Sequence, residues 1–190
     1  MIPLRKLGLY GGSFDPIHNG HLILAREALE TFGLDRVIFI PAGVSPHKLE
    51  RPPAPPKLRA EMVAAAVAGE PGFAWSDCEI VREGPSFAID TAREMQKIHP
   101  EAEIFYFLGE DNLPSLGTWK DIAALRALVT FVVFSRGTGP AGHGFPAISR
   151  RVDISSTGIR NRIASGKSVR YLLPEATCAI LFQHQLYRND

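Results

Sequence analysis

The sequence has little cysteine, no long apolar run and almost no net charge, and each shortage removes a class of protein. Cys78 and Cys178 are its only cysteines and stand far apart, which gives neither a disulfide scaffold nor a metal-type cluster. No apolar stretch approaches the length of about eighteen residues that spans a bilayer. Glycines and Asp15 follow the short run from Leu4, so no secretory leader is expected and the chain reads as cytoplasmic. With 21 Lys and Arg against 20 Asp and Glu, the net charge is +1. No global basic field points to nucleic acid or to an anionic membrane as partner. No internal repeat is visible and no linker divides two cores, and 190 residues suit one domain over 1–190 with a sizeable core. This composition leaves a homo-oligomer open.

Familiar site signatures are also missing. A dinucleotide fingerprint needs G-x-G-x-x-G at the first turn, whereas Gly11 and Gly12 are adjacent. Gly166-Lys167-Ser168 resembles the end of a P-loop, yet the required first glycine would fall at Asn161. His18 and His21 have only Asp15 as a close carboxylate and no cysteine or third histidine nearby, so no metal site is expected from them. Ser13 lacks the G-x-S-x-G elbow of a serine nucleophile.

What is present is organised around Gly11-Gly12-Ser13-Phe14-Asp15-Pro16-Ile17-His18-Asn19-Gly20-His21. An apolar run from Leu4 to Tyr10 predicts a buried strand before it. Apolar positions at Leu22, Ala25, Leu29 and Phe32 predict a helix after it, with Asn19 as N-cap and Gly33 as stop. A strand, a glycine turn and a helix start form a layout that binds phosphate, through free N–H groups and the positive end of the helix. His18 and His21, three residues apart, face the same way, and Gly20 between them leaves room for a ligand against the backbone.

Farther on, Arg36–Pro41 predicts a second strand parallel to the first. Ala42–Pro56 is broken by five prolines and carries Ser45-Pro46-His47-Lys48 just after a strand end. Lys57–Gly69 reads as helix. Phe73–Val81 reads as one or two strands with Trp75 inward and Asp77 and Glu79 outward. Ser86 caps a helix to about Ile98. Glu103–Gly109 predicts a buried strand that empties into Glu110-Asp111-Asn112, a helix follows at about Asp121–Arg126, and Leu128–Phe134 is the next strand. Ser135–Gly144 is a glycine-rich loop, and Pro174 begins a packing helix. The alternation predicts an α/β fold, a doubly wound and mostly parallel sheet flanked by helices.

The stretch from about 150 to 190 differs in charge. Arg150, Arg151, Arg160, Arg162, Lys167 and Arg170 face a single acid, Asp153, before Arg170. Ile154-Ser155-Ser156-Thr157-Gly158-Ile159-Arg160 reads as a polar cap entering a helix, a second place for an anion. Many phosphate partners and no nucleophile suit phosphoryl or nucleotidyl transfer, which needs two reactants held in line and growing charge neutralised. His18 and His21 can donate to phosphate oxygens, a protonated imidazole more strongly than a neutral one, while Lys48 and Arg160 supply fixed charge.

His18-Asn19-Gly20-His21 and Ile154–Arg160 match the two signatures, H-x-G-H and I-S-S-T-x-I-R, of the nucleotidylyltransferase superfamily. With Gly11–His21, Ser45–Lys48, Leu108–Asn112 and Trp119, nearly the whole chain resembles the bacterial nicotinate-nucleotide adenylyltransferases. The resemblance implies a Rossmann-like fold and the reaction of ATP with nicotinate mononucleotide to nicotinate adenine dinucleotide and pyrophosphate. It implies Mg²⁺ riding on the ATP phosphates and no covalent intermediate. By motif position it implies that Gly11, Gly12, Ser13 and Phe14 line the nucleotide turn, and that His18, Gly20 and His21 meet the ATP phosphates. Ser155, Ser156, Thr157 and Arg160 would hold the outer phosphates, and Gly109 and Asp111 would contact ribose. Asp15, Lys48 and Arg136 fall on the mononucleotide side, with Trp119 stacking on the pyridine. His18, His21, Lys48 and Arg160 would carry the catalysis. The family's usual Ser-Tyr-Thr is here Ser86-Phe87-Ala88, and its Arg-Pro-Gly is Arg136-Gly137-Thr138. Both changes fall on the mononucleotide side, where the backbone at Ala88 and the hydroxyl of Thr91 are the substitutes. A preference for the amide mononucleotide and a non-catalytic nucleotide-binding regulator are the alternatives.

Overall fold

A computed structural model describes residues 3–44, 52–135 and 142–188. Its elements alternate as the apolar pattern demands: β1 (Lys6–Gly12), α1 (Asn19–Thr31), β2 (Arg36–Pro41), α2 (Pro56–Val67), β3 (Phe73–Trp75), α3 (Cys78–Val81) and α4 (Ala88–Ile98). There follow β4 (Glu103–Gly109), a 3-10 segment (Glu110–Thr118), α5 (Ile122–Leu128), β5 (Val129–Ser135), β6 (Ala147–Ser149), α6 (Ser156–Ala164) and α7 (Glu175–Gln183).

The strands form one sheet in the order β3-β2-β1-β4-β5-β6, and every pairing is parallel. Winding proceeds outward from β1 to β3, then returns to β4 beside β1 and proceeds outward again. The loops that leave β1 and β4 therefore diverge, and a crevice opens at their carboxyl ends. Both faces of the sheet are covered, which is why Ile104-Phe105-Tyr106-Phe107-Leu108 is apolar without alternation. One face packs Tyr10, Phe39, Phe107 and Phe134 with residues of α1, α2, α6 and α7. The other packs Leu9, Tyr106, Leu108 and Val133 with residues of α4 and α5. Among the described residues no helix is long and apolar enough to cross a membrane.

The doubly wound parallel sheet matches the sequence reading; several local details do not. The N-cap of α1 is His18 rather than Asn19, whose N–H and side-chain amide instead donate to the carbonyls of Leu172 (2.9 Å) and Tyr171 (2.7 Å). Phe73–Val81 yields only a three-residue edge strand, followed by the short helix α3. Trp75 is exposed there because the edge strand has no neighbour beyond it, and Glu79 turns inward because α3 rotates it toward α4. Ser86 does not cap α4: its Oγ accepts from the Gly43 N–H at 3.0 Å, and Phe87 stands at the N-cap with no side-chain bond. The short edge strand β6 lies beyond the glycine-rich loop, too brief for its pattern to show. Ser45–Lys48 and Arg136–Thr138 lie outside the described residues.

Candidate active site

The crevice between β1 and β4 consists of two clefts that meet at Tyr10, His21 and Asp111. The first, about 500 Å³, is bounded by Gly11–Phe14, Glu79, Ser86–Ala88, Tyr106 and Trp119. The second, about 490 Å³, is bounded by His18, Gly20, Gly109, Glu110 and Ser135, with Ser155 and Ser156 opposite. Each is large enough for half of a dinucleotide-sized ligand.

His18 and His21 form a reciprocal cap on α1. The His21 N–H donates to Nδ1 of His18 at 3.3 Å, and the His18 N–H donates to Nδ1 of His21 at 3.1 Å. The capping box normally uses Ser or Thr with Glu or Gln; here two imidazoles fill both places. Their rings stack at 3.6 Å. Because both Nδ1 atoms accept, both Nε2 atoms carry the protons in the neutral rings. Burial, and then the neighbouring His18, push the His21 pKa well below the usual histidine value. In this structure the His21 ring is therefore held neutral, with Nε2 as its N–H donor. Gly20 has a reason other than ligand access: a Cβ there would stand 3.0 Å from Nδ1 of His18 and 3.2 Å from Val152. Glycine lets the His18 ring fold back over the helix.

The second motif holds the first from across the chain. Ser155 caps α6 through the Gly158 N–H at 3.0 Å. The Ser156 hydroxyl donates to the Pro16 carbonyl at 2.9 Å, and Arg160 donates to the Asp15 carbonyl at 2.8 Å. Arg160 also donates to the Thr157 hydroxyl at 3.1 Å, with its Nη1 3.6 Å from an Asp15 carboxylate oxygen. Arg160 and Thr157 border the motif loop rather than lining either cleft. Asp15 is 9% exposed and engaged, accepting from the Ala54 N–H (3.0 Å) and the Tyr187 hydroxyl (2.6 Å). In this structure it fixes the loop and lines neither cleft.

The remaining expected residues divide. Gly11, Gly12, Ser13, Phe14, Ala88 and Trp119 come together in the first cleft, and Gly20, Gly109, Ser155 and Ser156 in the second; His21 and Asp111 belong to both. Thr91 does not reach ligand space: it is 1% exposed, donating its hydroxyl to Glu79 at 2.6 Å and accepting from Arg82 at 3.2 Å. Lys48 and Arg136 lie outside the described residues.

Sequence reasoning missed Arg59, Glu79, Tyr106 and Tyr187. Arg59 is 1% exposed and donates to four carbonyls: Ala54 (2.9 Å), Ser13 (2.6 Å), Ala42 (2.6 Å) and Gly43 (3.2 Å). Its guanidinium joins the end of β2 to the turn after β1. The signal was there to read, since Arg59 shares the apolar face of α2 with Met62 and Val63 at helical spacing. Tyr187, in the tail after α7, left none.

The arrangement provides neutral N–H donors, an uncapped start of α4 and a fixed arginine around a two-part crevice. Among the described residues no side chain is poised as a nucleophile, and no three His, Cys, Asp or Glu side chains converge on a cation site. The cytidylyltransferase-like family model matches residues 9–162. A Thermus thermophilus protein named "Probable nicotinate-nucleotide adenylyltransferase" is 42% identical over 96% of this chain and all of its own length. A Shouchella clausii protein of the same name is 40% identical over 98% of this chain and 99% of its own. The solved nicotinic acid mononucleotide adenylyltransferase of Plasmodium falciparum, complexed with NaAD, superposes with a TM-score of 0.76 at 16% identity, covering 96% of this chain and 97% of that one, a likeness of fold. The chain belongs to the cytidylyltransferase-like family and, within it, to the nicotinate-nucleotide adenylyltransferases.

Proposed function

We propose that this protein transfers the adenylyl group of ATP to nicotinate mononucleotide, giving nicotinate adenine dinucleotide and pyrophosphate. One observation carries the reading beyond family membership: two clefts meet at His21, one lined by Trp119 and the start of α4, the other by the H-x-G-H helix and the Ser155–Ser156 cap. A phosphate oxygen of the mononucleotide attacks the α-phosphorus, the bond from that phosphorus to the bridging oxygen breaks, and pyrophosphate leaves with the electron pair. Such a displacement asks for alignment and charge stabilisation rather than covalent help.

The ATP lies in the second cleft with its phosphates toward Nε2 of His18 and His21. Gly109 and Asp111 take its ribose, Ser155 and Ser156 take the outer phosphates from the cleft wall, and Thr157 and Arg160 meet them where they extend past the cleft to the motif loop. The mononucleotide lies in the first cleft against Gly11–Phe14, its pyridine on Trp119. Its carboxylate points to the uncapped N–H groups at Ala88, where a helix start favours negative charge. Asp15 acts by holding Arg160, while Lys48 and Arg136 add charge from the segments after β2 and β5. Nucleotidyl transfer uses a divalent cation; Mg²⁺ on the triphosphate would offset charge at the leaving group. The protein acts in the cytoplasm as one domain over 1–190, with a homo-oligomer compatible with the site.

The test is a side-by-side assay of pyrophosphate release with saturating ATP and either the acid or the amide mononucleotide. Release is expected to require the mononucleotide and to be faster with the acid. A faster rate with the amide would overturn the substrate assignment, and ATP binding without turnover on either would overturn the enzyme.

A further inference from the structure

Nicotinate and nicotinamide have nearly the same outline, so a site that separates them must do so by charge and hydrogen bonding. The first cleft has a wall group suited to this. Tyr106 stands on β4 opposite Leu9 of β1 and is 6% exposed. Its ring packs perpendicular to Trp119, with centroids 6.2 Å apart at 79°, and to Phe131 at 6.1 Å and 78°. Its hydroxyl lies over the backbone of Gly11, where a Cβ would stand only 3.0 Å away. Among the described residues no hydrogen bond to that hydroxyl is made, although the residue lines the cleft. A hydroxyl that borders the cleft without a protein partner gives its proton to water or to a ligand group that displaces the water. Burial, and then the Glu79 carboxylate, raise the Tyr106 pKa above the usual tyrosine value, so the group stays a donor.

A protonated phenol favours a carboxylate, because a hydrogen bond to a charged acceptor is roughly twice as strong as one between neutral groups. A carboxamide offers one neutral oxygen and an NH₂ that needs an acceptor instead. Glu79 lines the same cleft and opposes an anion there, while the uncapped start of α4 favours one. Ser86-Phe87-Ala88 brings only the Ser86 hydroxyl, already accepting from Gly43. Of the hydroxyls that line the cleft, that of Tyr106 belongs to the ring packed edge-on against Trp119, the platform proposed for the pyridine.

We propose that Tyr106 is a specificity-determining residue of the first cleft: its hydroxyl donates to the carboxylate on the pyridine ring and favours the acid mononucleotide over the amide. The proposal rests on the adenylyl-transfer reading above. Tyr106→Phe tests it, because phenylalanine keeps the packing against Trp119 and Phe131 and removes one oxygen. At saturating ATP, KM for nicotinate mononucleotide should rise about tenfold with kcat within about twofold. KM for the amide should move less than about twofold, so that the acid-to-amide ratio of kcat/KM falls about tenfold. An unchanged ratio would refute the proposal, and equal losses on both substrates would move the bond to ribose or phosphate and refute it as well. Calorimetric titration of both proteins with nicotinate mononucleotide separates the two failures. A wild-type protein without turnover sinks the enzyme reading, while Tyr106 is still judged by whether the variant binds the acid about tenfold more weakly.

Discussion

His21→Ala removes three things at once: an Nε2 donor toward phosphate, the acceptor for the His18 N–H at 3.1 Å, and a ring stacked on His18 at 3.6 Å. They should separate in experiment. A donor aimed at charge that grows in the transition state is worth about 3–4 kcal/mol, so kcat should fall about 10²- to 10³-fold. Half of a capping box is worth about 1 kcal/mol, which for a chain of this size lowers Tm by about 2–4 °C. His21→Gln divides the two effects, since glutamine at the third helical position can restore the bond to the cap N–H but places its amide away from Nε2. Its stability should return to within about 0.5 kcal/mol of wild type while kcat stays at least about tenfold down. Turnover is read by continuous pyrophosphate release, mononucleotide affinity by calorimetry and stability by urea titration. A His21→Ala protein within threefold of wild-type kcat would refute the donor role. So would a mononucleotide affinity that falls as far as kcat, because the donor is argued to act on ATP phosphates.

Acid should destabilise the fold through the same residue. The folded His21 pKa lies well below the unfolded value of 6.5, so the unfolded chain takes up the proton first. Stability from this group is complete above about pH 6.5 and is lost as pH falls below it; the urea midpoint at pH 5.5 should sit below that at 7.5, with a smaller drop in His21→Gln. Arg59→Met strips donors from four carbonyls around the turn and should cost at least about 3 kcal/mol at about 1–3 kcal/mol per stranded buried acceptor; a urea-derived loss under 1 kcal/mol would show that these carbonyls find water. Ser155→Ala removes the cap of α6 and should cost about 1 kcal/mol, with a larger KM for ATP than for the mononucleotide in steady-state assays.

The sheet was legible because its strands are buried on both faces and therefore continuous in apolar character: Arg36–Pro41 and Glu103–Gly109 were read with the bounds the structure gives them. Edges were not. β3 and β6 have three residues each, and neither a short run nor a half-exposed Trp75 distinguishes a strand from a loop. The binding motifs stood out because a phosphate site needs glycine, hydroxyl and imidazole at fixed local spacing. The parts that hold those motifs are non-local. Nothing near Asp15 in sequence says that Tyr187 will bond to it, or that Arg160 will donate to its carbonyl. Glu79 was read outward because an extended chain alternates faces; a single helical turn at α3 put it inside.

Those long-range bonds matter most for a reaction of this kind. With no nucleophile of its own, a nucleotidyltransferase gains rate from groups already in place when the charge moves. The turn after β1 is held by Arg59 from α2 and Ala54 before it, by Ser156 and Arg160 from α6, and by Tyr187 from the tail. The start of α1 is held by the Asn19 N–H on Leu172. In the proposed reaction H-x-G-H supplies the donors, and the second motif does two jobs: it faces the second cleft through Ser155 and Ser156, and it bonds to the loop that precedes the first. A variant that strips the carboxylate bonds of this turn while keeping Arg160 and its bond to the Asp15 carbonyl, such as Asp15→Ala, should therefore disturb His18 and His21 as well as the outer phosphates. Its kcat should fall about tenfold or more while its charge toward ATP is unchanged or higher. Single-turnover rates would show the loss in the chemical step; a loss confined to KM for ATP would mean that Arg160 acts alone and that the two motifs are not mechanically joined.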